Sequence, residues 1–313
     1  MAPLRPHILI SNDDGVTAPG LVSLATLLHQ ENFCDFSVCG PSGERSAQSH
    51  SINIHHPLHA FPISVPGAEE AWAVSGTPAD SVMLALYGPL LKNNKFDLVV
   101  SGINRGDNCG LHIIYSGTVG AAREAACKGV PSIALSLDNH SARSIEGFAQ
   151  AARHGVVLIK AVLGLLPGSA SLLEPLSGHL LNINVPEGEA RGYCLAHQGR
   201  QCLLPLFTEA GPREDVDLAE ALAVAGPGVV LRAFNNVGGD FRRDEEEGTD
   251  SWAVSRRWIS VTPLGLLSDL PGSAAAAAAR CDPRLLGELR AALTGAARAA
   301  GVECLVPDGR ALM

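Results

Sequence analysis

The stretch His7-Ile8-Leu9-Ile10-Ser11-Asn12-Asp13-Asp14-Gly15 constrains this chain more than any other. Its apolar run fits a strand buried on both faces, as in a parallel sheet. The run stops at three polar residues and a glycine, so Asn12, Asp13 and Asp14 fall at the strand's carboxyl end. In open α/β sheets that edge is where ligands bind. Two adjacent carboxylates repel each other, and burying them is costly unless a cation neutralises the pair. Oxygen chemistry of this kind suits hard divalent ions such as magnesium, manganese or calcium. Asn-Asp-Asp-Gly also makes an ordinary turn followed by a helix cap, and spacing alone does not separate the two readings.

The rest of the chain reads as repeated strand and helix. Helical spacing over Ala18 to His29 is followed by a strand at Phe36 to Cys39 and the polar loop Gly40 to Ala47. Trp72 to Ser75 is a third strand, leading through Gly76-Thr77-Pro78-Ala79-Asp80 into a helix to about Leu91. Thr77 suits the N-cap and Pro78 the first helical position. Asp97 to Ser101 is a fourth strand, ending in the polar loop Gly102 to Gly110. Ser116-Gly117-Thr118 then opens a helix to Lys128, and its free N–H groups suit either a phosphate or a simple cap. A fifth strand at Pro131 to Ser136, a helix from Ala142 to Leu166 and a sixth strand at Leu180 to Val185 follow. The order predicts right-handed crossovers and an α/β fold: three layers around a doubly wound, mostly parallel, Rossmann-like sheet.

Composition limits the function classes. A chain of 313 residues with 46% apolar residues suits one large α/β domain, or one with an appended subdomain. The formal charge of −9 and the lack of a Lys/Arg block argue against a nucleic-acid surface. The eight cysteines form no CxxC pair, so they read as scattered core thiols of a reducing compartment. The longest apolar stretch, Val156 to Leu166, is broken by Lys160 and too short to span a bilayer. With no secretory signal evident, the expectation is a cytoplasmic protein without a membrane partner. There is no GxGxxG after the first strand and no GxxxxGK motif, which disfavours nicotinamide and P-loop enzymes.

The loops at 12–15, 40–46 and 102–110 and the helix start at 116–118 converge on one sheet edge. Together they offer two carboxylates, a hydroxyl, an amide and phosphate-binding N–H groups. That is the inventory of a metal-dependent phosphoryl-transfer or phosphate-hydrolysis site.

Five segments, Ile10 to Gly15, Glu44 to Ala47, Ser75 to Asp80, Ser101 to Gly106 and Tyr115 to Val119, closely resemble the SurE family. Leu181-Asn182-Ile183-Asn184-Val185-Pro186 and Ile259 to Leu264 match downstream, so the resemblance spans residues 7 to 266. It implies a phosphomonoesterase acting on nucleoside 5′-monophosphates, with 3′-monophosphates as a second candidate substrate. It also implies one divalent ion per subunit, magnesium or manganese with calcium able to occupy the site, held by Asp13, Asp14, Ser46 and Asn104. Phosphate contacts are implied for Asn108, Ser116, Gly117 and Thr118, and Asn12 lies beside Asp13 and Asp14 in the catalytic motif. The residue types suit attack by water activated at the cation better than an aspartyl-phosphate on Asp13. The alternative is a nucleotide-binding regulatory protein without turnover; the presence of all four implied ligands favours the enzyme.

The resemblance further implies a homodimer or homotetramer. The domain expectation is a catalytic core at 1–191, a hairpin-rich extension at 192–272 and an Ala-rich segment with a terminal helix at 273–313. Within the extension, Val229 to Asn235 and Trp258 to Leu264 read as strands. Departures from the family are Asp107, where bacterial members often have proline; Trp258, in a tyrosine position; and the stretch Gly199 to Gly228. Asp107 would either bias metal choice or face solvent. Of the histidines at 50, 55, 56 and 59, only His50 is expected near the site. Arg45 and Arg105 read equally well as phosphate aids or ion-pair partners.

Overall fold

The computed structural model describes residues 5–210, 232–266 and 283–306. Ten of its strands form one sheet. Strands β1 (His7–Ser11), β2 (Asp35–Pro41), β4 (Ala71–Val74), β5 (Leu98–Arg105), β6 (Ser132–Asp138) and β7 (His179–Pro186) run parallel. The short β3 (Ala60–Pro62) lies antiparallel on the β4 edge. Beyond β7 come β13 (Trp258–Gly265), antiparallel to it, then β8 (Gly192–Leu195) and β14 (Glu303–Leu305). The architecture is the expected mostly parallel α/β sheet.

Alternating residues of the buried strands face opposite layers. Ile8 and Ile10 pack with α1 (Pro19–Glu31), α4 (Ala149–Val162) and α6 (Pro283–Ala300). Leu9 and Val99 turn the other way, toward α2 (Pro78–Tyr87) and α3 (Gly117–Cys127). Both faces are therefore covered, as the unbroken apolar run of β1 requires.

The strand order places the site. From β1 the chain moves outward through β2 and β4, then returns to pair β5 on the other side of β1. Helices leave the two strands on opposite faces there, opening a crevice at their carboxyl ends. Asp13 and Asp14 follow β1, and Asn104 is the next-to-last residue of β5.

Several boundaries differ from the sequence expectation. Helix α2 stops at Tyr87 because Pro89 lacks an N–H and holds Gly88 extended. Helix α4 begins only at Ala149, after a short 3-10 turn at Glu146–Phe148. Strand β5 continues past Ser101 to Arg105, with a register shift against β6 between Gly102 and Asn104. Gly102 sits at φ +143, where an added Cβ would meet the Leu135 carbonyl oxygen at 2.2 Å, so only glycine fits.

The sheet runs across the boundary expected at residue 191, since β8, β13 and β14 all join it. Helix α6 packs into the main core through Leu285, Leu289 and Leu293. Two small ribbons lie between β8 and β13: β9 (Cys202–Leu203) with β12 (Phe241–Arg242), and β10 (Phe207–Ala210) with β11 (Ala233–Asn236). The strand expected at Val229 to Asn235 is described only from residue 232. The Ala-rich stretch Gly272 to Ala279 and residues 211–228 lie outside the described residues.

Candidate active site at the carboxyl edge

The loop after β1 is held open from within. Asn12 donates through Nδ2 to the Gly15 carbonyl at 2.7 Å, while its Oδ1 is buried without a partner. Below it, Ser11 and Ser101 face each other in register, and both hydroxyl oxygens are also unpartnered.

Asp13 points at the start of α3. The Thr118 hydroxyl donates to Asp13 Oδ1 at 2.5 Å. Gly117 is required beside it, since a Cβ there would lie 2.9 Å from Asp13 Cβ. Burial pushes the Asp13 carboxyl up to about 7, with the Thr118 hydroxyl opposing and the Asp14 charge reinforcing the shift. Asp14 is also raised by burial, although it accepts the Arg105 N–H through Oδ2 at 3.0 Å.

The loops carrying the other expected ligands are tied to these two residues. The Arg45 N–H donates to the Asp13 carbonyl at 2.7 Å, which brings the backbone beside Ser46 to the site. The Ser46 hydroxyl is exposed and donates to Glu44 Oε1 at 3.1 Å. Asn104 Nδ2 donates to the Gly106 carbonyl at 2.8 Å. Arg105 and Arg45 both have structural partners: Arg105 pairs with Glu44 at 3.3 Å, and Arg45 donates to the Ser75 carbonyl at 3.1 Å.

Among the described residues, no three His, Cys, Asp or Glu side chains form a metal-holding group. A cation here would rest on two carboxylates and neutral oxygens. The donor set fits one: burial raises two adjacent carboxyls, which a cation would hold in their charged form, and the neighbouring Asn12 amide oxygen lacks a partner.

The expected phosphate-contacting residues have partners of their own. Ser116 caps α3, its Oγ accepting the Val119 N–H at 3.1 Å, which leaves its proton available to an anion. Thr118 is engaged with Asp13. Asn108 is gripped by the sheet: its N–H donates to Asn184 Oδ1 at 2.7 Å, and its Nδ2 to Ser136 Oγ at 2.8 Å. Its carbonyl accepts from Asn182 Nδ2 at 2.8 Å. Asn182 and Asn184 belong to the downstream motif Leu181 to Pro186, which by itself points to no role for them. The available signal was two amides on one face of an otherwise apolar strand.

Asp107 neither faces solvent nor reaches the carboxylate pair. It is largely buried, and its Oδ1 accepts from the Cys109 N–H at 3.0 Å and Gln201 Nε2 at 3.2 Å, with His112 at 3.7 Å. Burial raises its carboxyl, but these groups outweigh burial and hold it below the usual range. His50 bonds Glu124 of α3 at 2.8 Å, pinning the loop after Ser46, whereas His55, His56 and His59 are exposed. Beside the phosphate loop opens a cleft of roughly 550 Å³, whose walls include Asp107, His112, His140, Phe241, Arg243 and Trp252.

A doubly wound sheet with an acidic pair at its switch point is a frame on which a hydrolase site can be built. Residues 8–203 match the family described as Survival protein SurE. The chain is 39% identical over 265 residues to the 5′-nucleotidase SurE of Sorangium cellulosum, covering 84% of this chain and 91% of that protein. It is 40% identical over 260 residues to the 5′-nucleotidase SurE of Syntrophotalea carbinolica, covering 83% and 91%. The crystal structure of a SurE protein from Aquifex aeolicus superposes with a TM-score of 0.64 at 30% identity, covering 84% of this chain and 95% of that one. The chain belongs to the SurE family.

Proposed function

We propose that this protein is a metal-dependent phosphomonoesterase that hydrolyses nucleoside 5′-monophosphates, with 3′-monophosphates as a second substrate class, to nucleoside and phosphate. The observation that carries the reading is the adjacent Asp13–Asp14 pair at the switch point, with Asp13 buried, Asp14 largely so, and both carboxyls raised by burial. The relatives named 5′-nucleotidase SurE support the substrate class.

Asp13, Asp14, Ser46 and Asn104 are the proposed ligands, and magnesium or manganese the proposed ion. When bound, a divalent ion neutralises the pair, polarises the phosphoryl group and acidifies water. The chain's own residues do the rest. Thr118 occupies Oδ1 of Asp13 and the Arg105 N–H occupies Oδ2 of Asp14. The two carboxyls would share the work of holding the cation and taking the proton of the attacking water. Asn12 fixes the turn that presents both carboxyls. The Ser116 hydroxyl and the N-terminal end of α3 at Gly117 and Thr118 face the phosphoryl charge, with Asn108 held beside them. The cleft with Trp252 and Phe241 offers rings to a nucleoside.

The accompanying proposal is a dimer or tetramer in the cytoplasm. Leu204, Leu206, Phe207 and Phe234 of the extension are exposed apolar residues that a second copy would cover. No helix of the described residues is long and apolar enough to cross a membrane. The test is phosphate release from a panel of nucleoside monophosphates with magnesium, manganese or EDTA, using wild type and Asp14→Asn. Release that depends on the metal and is lost in the variant supports the proposal. Absence of release from folded wild type under every metal rejects it in favour of a binding protein.

A further inference from the structure

The loop that carries Asn108 is clamped from two sides, and only one clamp belongs to the catalytic sheet. On the inner side, Asn182, Asn184 and Ser136 hold Asn108 itself. On the outer side, two residues further on, Gly110 is held by the extension. Its N–H donates to both oxygens of Asp250, at 3.2 and 3.0 Å. Its carbonyl accepts from Gln198 Nε2 at 2.9 Å. Gly110 lies so close to Gln201 that a Cβ would sit 2.6 Å from the Gln201 nitrogen.

Asp250 is fully buried at the start of α5 (Asp250–Ser255) and joins three segments. Besides Gly110, Oδ1 accepts the N–H of Gly199 at 2.9 Å and of Ser251 at 2.8 Å. Its own N–H donates to the His197 carbonyl at 2.8 Å. A carboxylate buried this deeply is costly unless donors surround it, and here backbone N–H groups do. A neutral apolar residue would close the core at less cost, so the carboxylate's distinctive contribution is its grip on the Gly110 and Gly199 backbones.

We propose that Asp250 is a positioning residue for the phosphoryl site, fixing loop 106–110 against the 197–201 segment and so setting where Asn108 meets the substrate. The inference rests on the proposed phosphatase reading, since it assigns the loop a phosphate to hold. The extension thus acts on the chemistry from outside the catalytic sheet.

Asp250→Asn separates the two jobs of the side chain. The amide keeps Oδ1 for Gly199, Ser251 and the longer Gly110 bond but replaces the oxygen of the shorter Gly110 bond with an NH₂, setting donor against donor there. With adenosine 5′-monophosphate as substrate and inorganic phosphate as competitive inhibitor, KM and the inhibition constant should each rise about tenfold while kcat stays within about threefold. Hydrogen exchange should accelerate in the peptide covering 106–112 and not in β1 or β5. Unchanged exchange at 106–112 overturns the proposal, and so does faster exchange with an unchanged inhibition constant. Should Asp250→Asn fail to fold, Gln198→Ala removes the clasp on the Gly110 carbonyl from an exposed position. It should shift KM in the same direction by about threefold, and an unchanged KM overturns the proposal. Wild type that releases no phosphate defeats the phosphatase reading and this inference together. Active wild type with an indifferent variant defeats this inference alone.

Discussion

Asp13 and Asp250 are both buried carboxylates raised by desolvation, yet they sit in opposite kinds of surroundings. Burial moves Asp13 to about 7 and Asp250 to about 6. Asp250 collects N–H bonds from Gly110, Gly199 and Ser251, which stabilise its charged form and oppose the shift. Asp13 has the Thr118 hydroxyl on one oxygen and a second carboxylate as its chain neighbour. Under the proposed function, the difference is between a charge satisfied mainly by the protein and one that a ligand would satisfy. Removing the first should damage geometry; removing the second should damage chemistry and relieve the fold.

The largest expected effect comes from the unsatisfied pair. Asp14→Asn should lower phosphate release by about 10²–10⁴-fold, the range set by a lost proton acceptor or metal-ligating carboxylate. It should leave the circular dichroism spectrum unchanged. A variant retaining a third of wild-type turnover would remove Asp14 from the chemistry.

The next effect is on stability and has a defined sign. The folded-state carboxyl of Asp13 lies at about 7 against an ordinary 3.8, so folding favours its protonated form. That contribution is present below about pH 4 and is lost as pH rises through 7. In EDTA at pH 8, Asp13→Asn should therefore melt above wild type, by roughly 2–4 °C for each kcal/mol relieved. The gap should narrow toward pH 5. A variant melting below wild type at pH 8 would mean that the carboxylate is already satisfied, as Asp250 is.

Asn184→Leu tests the inner clamp on Asn108. It leaves the Asn108 N–H buried without its acceptor, at about 1–3 kcal/mol. Thermal or urea unfolding reads that cost, and a loss under about half a kcal/mol would show that the loop finds another partner. The smallest effect belongs to the rim. Glu44→Gln breaks the solvent-exposed Arg105–Glu44 pair and should change stability by less than about 1 kcal/mol. A larger loss in a denaturant titration would make that pair part of the site.

Local chemistry made much of this molecule readable from its sequence. The apolar run of β1 ending in Asn12-Asp13-Asp14 gave both the strand and the edge. Thr77-Pro78 with Asp80 gave a helix start that the structure shows as a reciprocal capping box. Two of the three partners of Asn108 lie 76 and 74 residues along the chain, in β7, and the sequence hinted at them only through two amides on one strand face. Asp250 was hidden more deeply. Thr249-Asp250 has the pattern of a helix cap, and nothing local shows that its carboxylate grips a backbone N–H 140 residues away. Residue types announced the chemistry, whereas the clamps that aim it depend on long-range register.

The most direct measurement is calorimetric titration of manganese into metal-free wild type and Asp13→Asn, both shown to be folded. The expected result is one site per chain in the wild type, with proton release at pH 6.5 as the Asp13 carboxyl ionises, and no saturable binding in the variant. Equal binding by both proteins would contradict the assignment of the buried pair at the switch point as the cation site.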